Sequence, residues 1–313
     1  MKQLFKILVE HIKKDFHWPS FFYAIIFCLI VFYFKNEVQL FKWWLNSSLS
    51  GIEKYLLTTA YNILIYNIVL IPILLFRKKS SILRRIDFHV KSIFFLSLIS
   101  LNFQGFFNKI FLADIENTLQ RVYWRLIINN TNELIVILAL LLLFKLLFDR
   151  KESHFYGLNR KNANLRLFAP LLFIILPMVI WAAFQADFRN TYPTFKPWLF
   201  KTYFENNTWL ASLIYELSHA FNYIYTELLF RGILVVGLAG ILGTEALLPM
   251  ASLYLIYHFG KPDAEILSSF FGGYILGVFA LKFNNIWGGS LIHIALALLM
   301  NIAALVYIIV FTT

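Results

Sequence analysis

Apolar residues run along this chain in long blocks, and the polar ones gather between them. A helix needs about 20 mostly apolar residues to cross a bilayer. Stretches of that character lie near 19–34, 55–76, 90–112, 133–148, 165–186, 209–241, 245–260, 264–282 and 286–311. The pattern predicts an all-α fold, a polytopic membrane bundle of eight to nine transmembrane helices. Ahead of the first block, "MKQLFKILVEHIKKDF" spaces Leu4, Ile7, Leu8, His11 and Ile12 at helical intervals among Lys2, Lys6, Lys13 and Lys14, as a helix lying in the membrane interface does. No small-residue cleavage site follows "PSFFYAIIFCLIVFYF", so that run is read as a retained span. Pro193 and Pro197 in "FRNTYPTFKPWLF" mark a loop. The expected organisation is an interfacial helix at 1–18, N-terminal spans over 19–186, a loop at 187–208 and a last segment at 209–313.

Composition sharpens the class. The 313 residues are 60% hydrophobic and only 14% charged, which excludes an ordinary soluble domain and makes the bilayer the first partner. A formal charge of +11 suggests nucleic acid at first sight, but the basic residues sit in short segments between apolar blocks, so no nucleic-acid partner is expected. Four fall in the N-terminal segment, three in 35–54, six in 77–91, three in 109–133, five in 149–166 and three in 187–208. The positive-inside tendency then places the N-terminus, 77–91 and 149–166 in the cytoplasm. The single cysteine, Cys28, allows no disulfide and no cysteine-based metal site within one chain.

Charge inside the apolar blocks is concentrated late in the chain, at Glu216, His219, Glu227, Arg231, His258 and His293. His219, Tyr223, Glu227 and Arg231 recur every four residues, with Glu216 three before His219, so one stripe of that helix is polar for about four turns. An ionisable group at the bilayer centre costs roughly 2.5–3.5 kcal/mol, so the stripe should face protein or a wet cavity. A bland reading makes Glu227 and Arg231 an i,i+4 ion pair that neutralises itself. His258 ends an apolar run before Gly260 and Pro262, and His293 stands alone in a long apolar helix; singly, each reads as a packing residue. Together with Glu227 and Arg231 they make better sense if their helices converge, and Gly272, Gly273, Gly277, Gly288 and Gly289 would permit close approach. Glu227, His258 and His293 form a three-ligand set of the kind that leaves zinc an open position for water. The same groups suit metal-free work, with a carboxylate as base, one histidine assisting and the other stabilising an oxyanion. "HExxH" is absent.

These residues resemble the CPBP family, the CAAX-protease and bacteriocin-processing membrane proteins that include the type II CAAX prenyl endopeptidases. Thr226, Glu227 and Arg231 match its E-E-x-x-x-R motif, Tyr254 and His258 its F-x-x-x-H, and His293 with Ala297 its H-x-x-x-N. The resemblance covers about 209–301. It implies a membrane-embedded endopeptidase acting on a peptide or protein substrate, in the plasma membrane of a prokaryote, with Glu227, Arg231, His258 and His293 catalytic and Zn2+ or a metal-free glutamate mechanism. Thr226 replaces the family's first, water-activating glutamate, and Ala297 replaces an asparagine that would help hold an oxyanion. The alternative is a catalytically impaired member acting as a peptide-binding, immunity or regulatory membrane protein.

Overall fold

The computed structural model describes residues 2–150, 154–159, 163, 165–204 and 207–311, apart from the side chain of Asn46. In chain order its helices are α1 (Lys2–Lys14), α2 (Trp18–Tyr33), α3 (Lys35–Ser48), α4 (Gly51–Phe76), α5 (Ile86–Ile99), α6 (Gln104–Leu112), α7 (Thr118–Leu147), α8 (Ala169–Ala183), α9 (Ala186–Thr191), α10 (Lys201–Phe204) and α11 (Thr208–Glu227). A π-helical segment, Leu228–Val236, follows, and then α12 (Ala239–Leu242), α13 (Leu247–Tyr257), α14 (Asp263–Phe283) and α15 (Trp287–Phe311). No strand occurs among the described residues. The expected all-α membrane bundle is what the chain forms.

The apolar blocks and the helices do not correspond one to one. Among the described residues, five helical runs are long and apolar enough to span a bilayer, or seven if two bent pairs each count as one span. The expected spans 209–241 and 245–260 fall in one run, 208–257. The block at 165–186 supplies only the 15 residues of α8, about 22 Å of helix. Conversely, α7 begins well before the expected span 133–148, so its N-terminal half carries the polar residues of 118–133.

The chain divides into two compact units, each assembled from three stretches. The first comprises Met1–Leu101, Tyr156–Leu167 and Leu228–Gly289. Its centre is α13, in which every residue from Leu247 to Ile256 is buried, as a helix apolar on all sides must be. α13 packs against α14, α4 and α2. Cys28 on α2 is a free thiol buried beside Ser252 of α13. α1 bends 105° away from α2, buries Leu4, Ile7 and His11, and packs on α14, where His11 is hydrogen-bonded to the Tyr274 hydroxyl at 2.7 Å. Glu245, just before α13, is held by Arg77 Nε at 3.0 Å and Lys79 Nζ at 2.9 Å, so two residues of the basic 77–91 segment neutralise a buried carboxylate. Within 149–166, Lys151, Arg160 and Lys161 lie outside the described residues. Tyr156 in this segment is buried, and the Gly157 carbonyl accepts from Ile286 N at 2.9 Å.

The second unit comprises Asn102–Phe155, Phe168–Glu227 and Ser290–Thr313. α7 and α11 pack along each other, tied by Tyr123 Oη donating to the Ala211 carbonyl at 3.0 Å and Asn130 Nδ2 donating to Ser218 Oγ at 3.1 Å. The 187–208 segment, expected as a loop, folds into short helical turns because its aromatics are buried. Phe195 and Phe200 join Tyr123, Tyr215 and Ala211, and Phe188 and Tyr192 join Ala183 and Ala304. Glu205 and Asn206 of that segment lie outside the described residues.

Candidate active site

In the second unit the stripe read from the sequence becomes a column of rings and carboxylates along α11, met by α15. Glu227 closes α11 and is wholly buried, and its Oε1 lies 3.2 Å from Nδ1 of His293 on α15. With Glu227 ionised the carboxylate only accepts, so a neutral imidazole in this contact carries its proton on Nδ1 and its lone pair on Nε2. The His293 ring packs on Tyr223 at 4.4 Å, and Tyr223 on His219 at 4.7 Å. One turn further, Nδ1 of His219 lies 3.9 Å from Glu216, whose Oε1 accepts from Asn301 Nδ2 at 2.8 Å. Asn301 Oδ1 in turn accepts from Thr194 N at 3.0 Å and Thr194 Oγ1 at 3.2 Å.

His293, Ala297 and Asn301 are spaced four apart on α15 and so share a face. Asn301 is the polar residue that the motif comparison did not use. Its signal was present as a second polar side chain at the same four-residue interval in an otherwise apolar helix. Thr226, in the position of the family's first glutamate, turns its hydroxyl back to the Asn222 carbonyl at 2.9 Å, the i−4 bond that a mid-helix threonine makes.

The α-helix gives way to the π-helical segment at Leu228, within the "TELLFRG" stretch, and the units divide at the same peptide bond. π-turns occur often at functional positions. In the first unit this segment carries Arg231, 1% exposed, with Cζ 4.1 Å above the Tyr254 ring. Gly273 makes room: a Cβ there would stand 3.0 Å from Tyr254 Cδ1 and 3.6 Å from Arg231 Nη2. Gly277 likewise faces Met250 and Leu247 closely, whereas Gly272 has no neighbour within 4 Å. Tyr254 also stacks edge-on with His258, centroids 4.4 Å apart, and its carbonyl takes a 2.9 Å hydrogen bond from His258 Nδ1. His258 caps α13, again with its proton fixed on Nδ1. Lys42 secures that helix end, donating to the Ile256 carbonyl at 2.8 Å and lying over the Tyr257 ring at 4.8 Å. Nothing in the spacing of the sequence marked Lys42.

The structure therefore brings Glu227 together with His293 in one unit, and sets Arg231 and His258 on Tyr254 in the other. Within neither unit do three His, Cys, Asp or Glu side chains among the described residues gather as a metal-holding group. Glu227 and His293 supply two donors, and a zinc site takes at least three from protein.

Residues 206–299 match a family model described as type II CAAX prenyl endopeptidase Rce1-like. No curated protein and no solved structure matches the chain. The matched segment is similar to that family and contains all of the motif residues named above; the residues before 206 lie outside the match.

Proposed function

We propose that this integral membrane protein is an endopeptidase that hydrolyses a peptide bond of a peptide or protein substrate at the membrane, with Glu227 and His293 acting as one unit. The observation that carries the reading is the wholly buried Glu227 carboxylate with His293 Nδ1 on it at 3.2 Å. A carboxylate so placed orients the imidazole and stabilises the imidazolium that forms when Nε2 accepts a proton. Water then attacks the scissile carbonyl carbon while its proton passes to Nε2. The carbon–nitrogen bond breaks as that proton is returned to the leaving amine. Burial moves Glu227 from the direct base that the motif alone suggests to the partner of the base. Arg231 and His258 are carried as catalytic residues by their places in the matched segment.

No step is routed through a metal here; Zn2+ held by Glu227, His258 and His293 is the alternative, for which Glu227 and His293 supply two donors within the second unit. The N-terminus is proposed to lie in the cytoplasm and the membrane to be a prokaryotic plasma membrane.

The test uses the full chain reconstituted in liposomes against a peptide library. Glu227→Gln and His293→Ala should each lower turnover 10²–10⁴-fold. Their combination should be no worse than the poorer single variant, as for residues that act as a unit. Additive losses would separate the two roles, and abolition of turnover by a zinc chelator would favour the three-ligand site.

A second reading, a peptide-binding or immunity-type protein without turnover, is favoured by one observation. The Thr226 hydroxyl is committed to its own helix where the family has a carboxylate. Absence of turnover by the wild type, with Glu227→Gln indistinguishable from it in cells, would support that reading.

A further inference from the structure

Away from the polar column, the second unit contains a cavity of about 540 Å³ between α6 and α7. Pockets of this size hold small organic ligands. Its walls are apolar, formed by Phe107, Phe111, Trp124, Ile128 and Ile135 among others, with Asn132 on the same lining. Asn132 is 4% exposed, and neither its Oδ1 nor its Nδ2 has a hydrogen-bond partner among the described residues. A buried amide left so costs about 1–3 kcal/mol, which is recovered when a partner arrives.

The position of Asn132 along α7 indicates the partner. From Gln120 to Glu133 the helix carries Arg121, Arg125, Asn129, Asn130 and Thr131; from Leu134 to Leu147 it is apolar except for Lys145. These fourteen residues, thirteen of them apolar, make about 21 Å of helix, so Asn132 stands where the apolar half of α7 gives way to its polar half. A glycerolipid has its ester carbonyls at that level, between acyl chains and headgroup. Phe106, Ile110, Phe111 and Ile135 are exposed beside the cavity, as on a helix pair that faces lipid. Lys109 and Arg125, both exposed on the same two helices, supply positive charge for a phosphate.

We propose that this cavity binds one glycerophospholipid, an acyl chain filling the aromatic pocket and an ester carbonyl accepting a hydrogen bond from Asn132 Nδ2. The site is separate from Glu227 and His293 and requires no turnover. Water is a poor occupant, since it needs two to four polar partners and the walls offer few.

Native mass spectrometry of the delipidated full chain in detergent, titrated with palmitoyl-oleoyl phosphatidylglycerol, tests the proposal. Wild type should retain one lipid more tightly than the rest. The dialkyl ether analogue, which has no ester carbonyl, should bind about tenfold more weakly, the worth of one hydrogen bond. Asn132→Leu should bind the two lipids alike, and Ile128→Phe, which fills the pocket, should lose the tight one. In lipid-free detergent Asn132→Leu should melt at or above the wild-type temperature, because it removes an unpartnered amide. Equal binding of ester and ether lipids by wild type, retention of the tight lipid by Ile128→Phe, or a lowered melting temperature for Asn132→Leu would each overturn the assignment.

Discussion

Thr226 and Ala297 illustrate how a side chain's bonding decides its use. Thr226 is tied to its own helix, and the buried Ala297 leaves to Asn301, one turn later, the amide that holds Glu216. The substitutions and the meeting of Glu227 with His293 were legible in the sequence, whereas the atoms and distance of that contact were not, because 66 residues separate the two and only packing sets their geometry. Lys42 was silent in the sequence for the same reason. Its burial among Tyr257, Phe259 and the end of α13 pushes the ammonium pKa down to about 8, since desolvation disfavours the charge. Above that pH the folded protein holds Lys42 neutral while the unfolded chain, with a pKa near 10.4, still binds the proton. The unfolded state then carries more protons, so stability rises with pH from about 8 toward 10. Thermal unfolding in detergent should show a melting temperature that climbs between pH 8 and 9.5. Lys42→Met should flatten that climb, and an unchanged slope in the variant would contradict it.

At the scale of elements, apolar period and length found the helices, and turn residues found some of their ends. The limits came where tertiary burial overrode local signals. Prolines and polar residues marked 187–208 as loop, yet its aromatics draw it into helical turns. Polar residues at 118–133 hid the early start of α7, which α11 supports through Tyr123 and Asn130. The "FRG" triplet gained its explanation only from packing. A Cβ on Gly232 would stand 2.7 Å from the Tyr156 carbonyl oxygen, a backbone atom with little freedom to retreat, and 2.9 Å from Leu228 Cδ1. Overpacking of this kind typically costs about 1–3 kcal/mol. Gly232→Ala should therefore lower the unfolding temperature of the purified protein by several degrees. Gly272→Ala, with open space around it, should leave it unchanged or raise it, since alanine is the better helix former. Equal effects at the two positions would show that backbone approach at Tyr156 is not what requires glycine.

For the whole molecule, fold class followed from composition and block length, since only helices and closed barrels satisfy every backbone group in lipid. The division into units did not follow, because each is built from three stretches far apart in the chain. Orientation rests on charge alone and is open to a direct test. Six basic residues fall in 77–91 against three in 109–133, and the cytoplasmic side retains the richer loops. Glu245 binds Arg77 and Lys79 in the folded state, but insertion is read from the chain as it emerges, before that contact exists. The bias of the segment should accordingly count in full. Cys28 is the only cysteine and is buried, so a reporter cysteine can be placed against a quiet background. Ser80 and Glu116 are both exposed, one in each segment. In intact cells a membrane-impermeant maleimide should label Glu116→Cys and spare Ser80→Cys, and lysis should open Ser80→Cys to the reagent. Labelling of Ser80→Cys from outside would reverse the orientation. It would also place the N-terminus on the other face, if the chain crosses an even number of times before that loop.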